Sequence, residues 1–544
     1  MFIEKRSKIM SAKLASCRRR NRFGTRSLIL SALGFVLFAA PSALPGATTF
    51  YVDPDRTGAQ TGAAASPWAS FSSSAWAAIN SALLANDVTV YVSALKADTT
   101  QQSRAWFLEF QRSVSSSHRL TIDGCSLWNT NAVTPSWRTN AQDISIAYTN
   151  RRVFMLTGDG ASALGWTRYS TYKKQDNITM RGFEISGSAA RTSFAGDNVI
   201  AEFLNIHDIT AMAPALGILY TFMDDATNIS QQLFPPCTNM TIRNVRIDTC
   251  QGEAIYIGSV DPDVPLSVQQ QMGNQHAGIT ITNVFIRNPG TGGGQGDGID
   301  CKNGITNLRV SDVEIQGMSG MGGIILPQTM VKTNQNILIE RCFIHDSAIS
   351  SDTRHGIFGV SSTGKYGYKG ITIRNCIIAR HYRGVQLDGS GSALEDIQFY
   401  NNTIYGCDIL GLSVSQVLNN AAVINNLVCD NNSLGLQASI SGNNVVSDYN
   451  ACHGLWQNSS EGTHSISLTA LQDANLLINI PFNNYTPQLG SPIIGRGQTL
   501  SSFSDDCFKS SRLNNFWDIG AVQSQYGTAL SAPSAPTNLR VVGP

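Results

Sequence analysis

From about residue 178 onward one phrase recurs, and it restricts the fold more than any other feature of the chain. Its first half is a β-branched strand, an Asn or Asp corner and a short apolar strand. Examples are NMTIRNVRI (239–247), GITITNVFI (278–286), NLRVSDVEI (307–315), NILIERCFI (336–344), GITIRNCII (370–378) and DIQFYNNTI (396–404). The second half is a Gly or Ala followed by another apolar strand, as in GEAIYI (252–257), GDGIDC (296–301), GGIIL (322–326), HGIFGV (355–360) and RGVQL (383–387). The first apolar residue of each second half is Ile255, Ile299, Ile324, Ile357, Val385, Leu412 and Leu436, at intervals of 44, 25, 33, 28, 27 and 24. A period in the twenties interrupted by insertions is the mark of a solenoid. Period-2 alternation inside each strand sends one side chain inward and the next outward. The Leu-x-x-Leu-x-Leu frame of leucine-rich repeats is absent, and so is a helix in each repeat. The spacing therefore predicts a parallel β-helix over roughly residues 85–450, with those seven residues stacked in one interior column. Asn244, Asn283, Asn375, Asn402 and Asn426 suit a ladder of stacked amides at a bend.

Composition agrees. Charged residues are 14% of the 544-residue chain, hydrophobic residues 42%, and the net charge is +1. That is enough apolar material for a large core, without the basic excess expected of a nucleic-acid binder. Forty-eight glycines suit many short strands joined by tight turns. Residues 1–47 read as a signal peptide. Arg18, Arg19, Arg20, Arg22 and Arg26 precede the apolar run SLILSALGFVLFAA (27–40), and the small residues of PSALPGA (41–47) follow. Fourteen apolar residues are short for a membrane span. The expectation is a secreted or periplasmic protein, off the membrane once the leader is cleaved, and monomeric. Cys301, Cys342 and Cys376 sit inside strand-like runs and read first as small buried apolar residues, second as disulfide partners. Residues 48–525 form the β-helix domain, and 526–544 a C-terminal tail.

The insertions 258–277, 327–335 and 361–369 follow the same strand of their coils, so they are expected to wall one binding face. On that face GTGGGQGDGIDCKNG (290–304) holds the most chemistry. Ile299 and Cys301 are predicted to point inward, Asp300 and Lys302 outward onto a solvated strand. Such a pair can be a plain surface ion pair of little energetic weight. It can also serve a polysaccharide lyase, which needs a cation to neutralise a uronate carboxylate and a base to remove the neighbouring proton. Calcium favours clustered carboxylate oxygens, which Asp297, Asp300 and Glu253 would supply. Neighbouring cations and desolvation would lower the pKa of Lys302 toward that of a base. A second cluster spans 341–383, with seven Arg or Lys, three His and two acids. It reads either as scattered solvated cations or as a face that attracts a polyanion. Arg354, His355 and Arg383 are its candidate catalytic residues. Arg341, Lys365, Tyr366 and Tyr368 are its candidate substrate contacts, the tyrosines lying against sugar rings.

TFYVDP (49–54), SPWASF (66–71), the Ala-rich stretch 75–85 and DVTVYV (87–92) resemble the N-terminal strand, capping helix and first coil of the pectate-lyase-like superfamily. SPIIGRG (491–497) and FWDIGAVQ (516–523) resemble its C-terminal closing segment. The resemblance implies a right-handed parallel β-helix with an N-terminal capping helix, acting on an acidic polysaccharide. Gln295, Asp297 and Lys302 fall where the alginate lyase and chondroitinase B group carries two calcium ligands and its catalytic lysine. Gln295 stands for an acid there, and Pro327 for that group's arginine. The implied reaction is β-elimination. GDGID (296–300) and RHGIFGVSS (354–362) also resemble segments of polygalacturonase-type glycoside hydrolases, whose Asp-Asp pair one coil later is replaced by Gly322-Gly323. A non-catalytic carbohydrate-binding or adhesive β-helix is the third reading, since one fold hosts many functions.

Overall fold

A computed structural model describes residues 47–53, 56–92, 114, 117–124, 155–157, 176–187, 192–194, 196–210, 214–218, 237–258, 276–291, 296–301, 304–326, 334–347, 354–360, 367–389, 394–430, 436–457, 462–469, 475–513, 515–524 and 526. Residues 1–46 of the leader and 527–544 of the tail lie outside them, as do most of the three insertions. The described strands form a right-handed parallel β-helix. Twenty-nine of them belong to one continuous sheet, in which each strand pairs in parallel with its counterpart one coil away. Pairing runs from Thr48–Val52 on Val88–Val92 to Ala451–Cys452 on Ile466–Ser467, beyond both ends of the expected 85–450.

Each coil has three faces. The first carries Ile255–Ile257, Ile299–Cys301, Gly322–Ile325, His355–Val360 and Arg383–Asp388. The second carries Asn334–Glu340, Tyr368–Arg374 and Leu394–Tyr400. The third carries Phe343–His345, Ile377–Ala379, Thr403–Tyr405, Leu427–Cys429 and Ala451–Cys452. On the first face Leu216, Ile255, Ile299, Ile324, Ile357, Val385 and Leu412 stand opposite one another, all buried. Six of the seven predicted residues therefore share the column. The seventh differs: Ala438 continues the column from Leu412, while Leu436 pairs with Leu455. The Gly-apolar phrase marks where the strand begins, but backbone pairing starts two residues later on that coil.

The corners follow from backbone sterics. Asn244, Asn283, Asp312, Arg341, Asn375, Asn401, Asn425 and Tyr449 all have φ between +52° and +63°. Asn and Asp tolerate this left-handed region better than other side chains, so they recur there. A separate ladder lies one residue on and points inward. Asn402 donates to Asn426 at 3.0 Å, and Asn426 to Asn450 at 3.2 Å. The predicted single Asn ladder is thus two ladders, with Asn402 and Asn426 in the inner one. Cys342 and Cys376 begin that inner ladder. All nine described cysteines are buried.

Helix Ser73–Leu83 closes the N-terminal end. Ser72 Oγ caps it by accepting from Ala75 N at 3.2 Å, and Ala75, Trp76, Ile79 and Leu83 join the core. No described helix is long and apolar enough to cross a membrane. At the other end the chain folds back over the outside of the third face. There Ile493, Cys507, Ile519, Ala521 and Val522 build a second apolar core with Phe343, Ile377, Leu427 and Ala451.

Candidate functional site

The recurrent glycine of the first face exists because two backbones approach closely. A Cβ on Gly356 would lie 2.4 Å from Ile378 Cγ2 and 2.7 Å from Gly384 O, and one on Gly323 would lie 2.4 Å from Ile344 Cγ2 and 2.7 Å from Gly356 O. Gly298 and Gly384 sit in the same column under the same restriction. The residue before each glycine opens the strand, and those residues form the candidate site. Gly322, His355, Arg383 and Leu410 stand in register on consecutive coils. Asp297 precedes Gly322, since Gly298 N donates to Gly322 O at 3.1 Å and Asp297 Oδ1 accepts from Gly322 N at 2.8 Å. Glu253 precedes Asp297, since Ala254 N donates to Asp297 O at 2.9 Å. The line is Glu253, Asp297, Gly322, His355, Arg383, one rung apart at ~4.8 Å.

Its upper half is basic. His355 is 3% exposed, and its Nδ1 has no hydrogen-bond partner among the described residues. Burial, reinforced by the nearby charges of Arg383 and His381, pushes its pKa down to about 3, so the imidazole is neutral. Its ring lies 4.4 Å from that of Phe358. Arg354 is also buried, which lowers its pKa. Arg383 is half-buried. Its Nη1 donates to Gln386 Oε1 at 2.9 Å and its guanidinium lies 5.6 Å from the centre of the Tyr382 ring. Among the described residues no carboxylate pairs with Arg383. A cation held in place by an amide and an aromatic ring can receive an incoming anion.

Several expectations change here. Tyr368 is 1% exposed and belongs to the interior core, so it offers no ring to a sugar. It opens the second-face strand and pairs in register with Asn334 and Leu394, which points it inward. Arg341 is a corner residue. Its Nε donates to Asp312 at 2.9 Å, its Nη2 to Glu340 at 2.9 Å and its Nη1 to Asp505 at 2.9 Å, which ties the closing segment to the helix. Arg374 pairs with Glu340, Arg380 with Asp346, and Lys369 with Glu395 at 3.2 Å. Three of the seven cations counted in 341–383, Arg341, Lys369 and Arg374, are therefore paired with acids that lie outside that window, and Arg380 with Asp346 inside it.

Asp300 is fully buried rather than on a solvated strand. Its row on the first face runs through Tyr256, Ile325 and Phe358. Asp300 also lies three strand residues from Asp297, ~10 Å along the chain, too far to share an ion bound at ~2.3–2.6 Å. No group of three or more His, Cys, Asp or Glu among the described residues could hold a metal ion. Glu253, Asp297 and Asp300 therefore do not fit the expected calcium cluster.

Gln295, Lys302, Pro327, Lys365 and Tyr366 lie outside the described residues. Asp300 stands opposite Phe358 two rungs on, and His355 is three residues before Phe358. Asp300 is therefore ~14 Å from His355. Gln386, Phe358 and Tyr382 escaped the sequence reading. Their only signal was position: each lies within three residues of His355 or Arg383 on the same strand or its approach.

No family model matches the chain, and no curated protein matches it in sequence. Among solved structures it is similar to a pectate lyase, at 12% identity and a TM-score of 0.41, covering 88% of this chain and 96% of that one. It is similar to a surface adhesin of Streptococcus pneumoniae at 12% identity and a TM-score of 0.41, covering 72% and 87%. It is also similar to a lacto-N-biosidase from Eubacterium ramulus at 12% identity and a TM-score of 0.38, covering 77% and 68%. At these values the likenesses bear on neither substrate nor reaction.

Proposed function

We propose that the chain acts on a uronate-containing polysaccharide laid along the first face and cleaves it by β-elimination. The observation that carries this is Arg383: a half-buried guanidinium, braced by Gln386 and Tyr382, without an acid partner among the described residues, one rung from a neutral imidazole. In this reading Arg383, with Arg354 beside His355, receives the uronate carboxylate. Neutralising that carboxylate makes the adjacent C–H bond more acidic. His355 takes the proton, the electron pair forms a C=C bond, and the glycosidic C–O bond at the β carbon breaks. The carboxylate also offsets the Arg383 charge that helps hold His355 at low pKa, so proton affinity rises when substrate is bound. Lys302 is the competing base in this scheme. In this scheme the arginines serve as neutralisers. The expected setting is outside the cell.

A second reading has its own support. Glu253 and Asp297 occupy consecutive rungs, and a carboxyl separation of ~5–5.5 Å is what a retaining glycoside hydrolase uses. One experiment separates the readings. Purified protein is incubated with alginate, polygalacturonate, glucuronan and glycosaminoglycans while the ultraviolet absorbance of unsaturated uronate is followed. Unsaturated ends from wild type, lost at least ~100-fold in His355→Ala and kept in Lys302→Ala, support His355 as base. The reverse pattern makes Lys302 the base. Saturated reducing ends move the chemistry to Glu253 and Asp297. Retention on an acidic polymer without product leaves a binding protein.

A further inference from the structure

The third face holds a cluster that the polysaccharide reading does not use. His345 is 1% exposed and lies between two carboxylates. Its Nδ1 is 2.7 Å from Asp346 Oδ2 and its Nε2 is 3.3 Å from Glu314 Oε1. A neutral imidazole has one N–H, so it can donate to only one of them; the protonated ring satisfies both. Glu314 comes from the preceding coil, in the row of Phe343, and is itself buried. Its second oxygen, Oε2, has no hydrogen-bond partner among the described residues. From the following coil Arg380 joins the cluster through Asp346, with Nη2 3.5 Å from His345 Nδ1. The same guanidinium holds the C-terminal cover: it donates to Tyr485 Oη, and to Asn483 Oδ1 at 2.7 Å. Phe343 stacks on the His345 ring at 3.8 Å and meets the Tyr485 ring edge-on at 5.8 Å. His345 is therefore the centre of the seam between the helix and the hairpin Leu477–Pro487.

We propose that this cluster is a proton-dependent latch, which holds the C-terminal cover on the third face in acid and neutral solution and loosens it in alkali. The charged and titratable groups facing His345 are Glu314, Asp346, Arg380, Tyr485 and His381. Burial lowers the His345 pKa, but hydrogen bonds and charges of Asp346 and Glu314 outweigh it and hold the value above normal. Burial raises that of Glu314, only partly offset by His345. Both shifts have the same consequence. A histidine whose folded pKa is raised contributes stability that is present below the ordinary value of ~6.5 and lost as pH rises through the folded one. A buried acid with a raised pKa also favours the folded state more in its protonated form. Asp346 is held well below the ordinary range despite burial, by His345 and Arg380, so it opposes this only in strong acid. Once His345 is neutral, a lone pair faces a carboxylate and Glu314 is a buried charge without a counter-charge. The cover is the adjacent layer that can move away, and beneath it lie Phe343, Ile377 and Leu427.

The test is hydrogen exchange by mass spectrometry on the full chain between pH 6 and pH 9, corrected for intrinsic exchange. Peptides spanning 477–487 should lose protection at least ~10-fold over this range, while the second-face strands of residues 334–340 and 368–374 stay unchanged. Glu314→Gln keeps an acceptor for the ring N–H without a charge, and His345→Gln removes the titration. Either variant should flatten the pH response, and Glu314→Gln alone suffices if His345→Gln fails to fold. Constant protection of 477–487 in wild type overturns the latch. So does an undiminished response in Glu314→Gln, or equal loss in the central strands.

Discussion

Gly356→Ala tests whether the repeated glycine is required by packing. The new methyl would lie 2.4 Å from Ile378 Cγ2, 2.7 Å from Gly384 O and 3.2 Å from His381 Cδ2. Comfortable carbon contacts are ~3.5–4.0 Å, so the side chain must retreat by about an ångström and the carbonyl by several tenths. Neither has room: Ile378 is buried in the central core, and Gly384 O belongs to the next rung. Overpacking typically costs ~1–3 kcal/mol, and involvement of a backbone carbonyl places this substitution near 3. The assay is urea unfolding of wild type, Gly356→Ala, Ile378→Ala and the double variant. Ile378→Ala alone should cost ~2–5 kcal/mol through the cavity it leaves. The double variant should fall short of the sum by at least ~1 kcal/mol, because the added methyl then occupies vacated space. A Gly356→Ala cost below ~0.5 kcal/mol, or strict additivity, would refute the close-approach account. Since Gly356 follows His355, the strained variant should also lose activity.

Arg383→Ala should weaken retention on an acidic polysaccharide at least ~10-fold at low salt with little change in melting temperature, as affinity electrophoresis would reveal; unchanged retention removes Arg383 from the site. Glu340→Gln should destabilise by ~3 kcal/mol, because this buried carboxylate faces the buried Arg341, the half-buried Arg374 and the exposed Arg309, the last contributing little; equilibrium unfolding measures it. Below pH ~6.5 the protein should lose stability at up to ~2.7 kcal/mol per pH unit, since burial holds His355 and His381 near 3 and 4 and the unfolded chain binds two protons the folded one does not. Unfolding midpoints of His381→Asn between pH 4 and pH 7 should show about half that slope.

Much of the fold was legible because a solenoid writes its geometry repeatedly. Every coil must bury an apolar residue, turn through a left-handed corner and pass a neighbouring backbone, and each demand leaves a mark at the same phase of the repeat. Ile255 to Leu412 could be stacked by eye for that reason. Leu436 could not, because the phrase locates where a strand starts and not where it begins to pair. The corner ladder was misassigned by one residue for a similar cause: Asn375 and Asn402 look alike in sequence, but one supplies a backbone conformation and the other an inward hydrogen bond.

The site was much less legible, and the reason is spatial. A count along the chain misses that neutralisation in a β-helix also runs across coils, as between Arg341 and Asp312, Arg374 and Glu340, or Arg380 and Asp346, and across to the closing segment, as between Arg341 and Asp505. Arg341 and Arg374 are neutralised by Glu340, Asp312 and Asp505, and Arg380 by Asp346. Only a register that aligns residues 297, 322, 355 and 383 separates these structural pairs from Arg383. The same register splits the predicted constellation. Asp297 and His355 share a column two rungs apart, whereas Asp300 sits on another row beside Ile325 and Phe358. Residues adjacent in sequence on such a strand face different surroundings, while residues one coil apart share theirs. The chemistry of this face is therefore set by columns, and the column through His355 and Arg383 places a guanidinium one rung from a neutral imidazole.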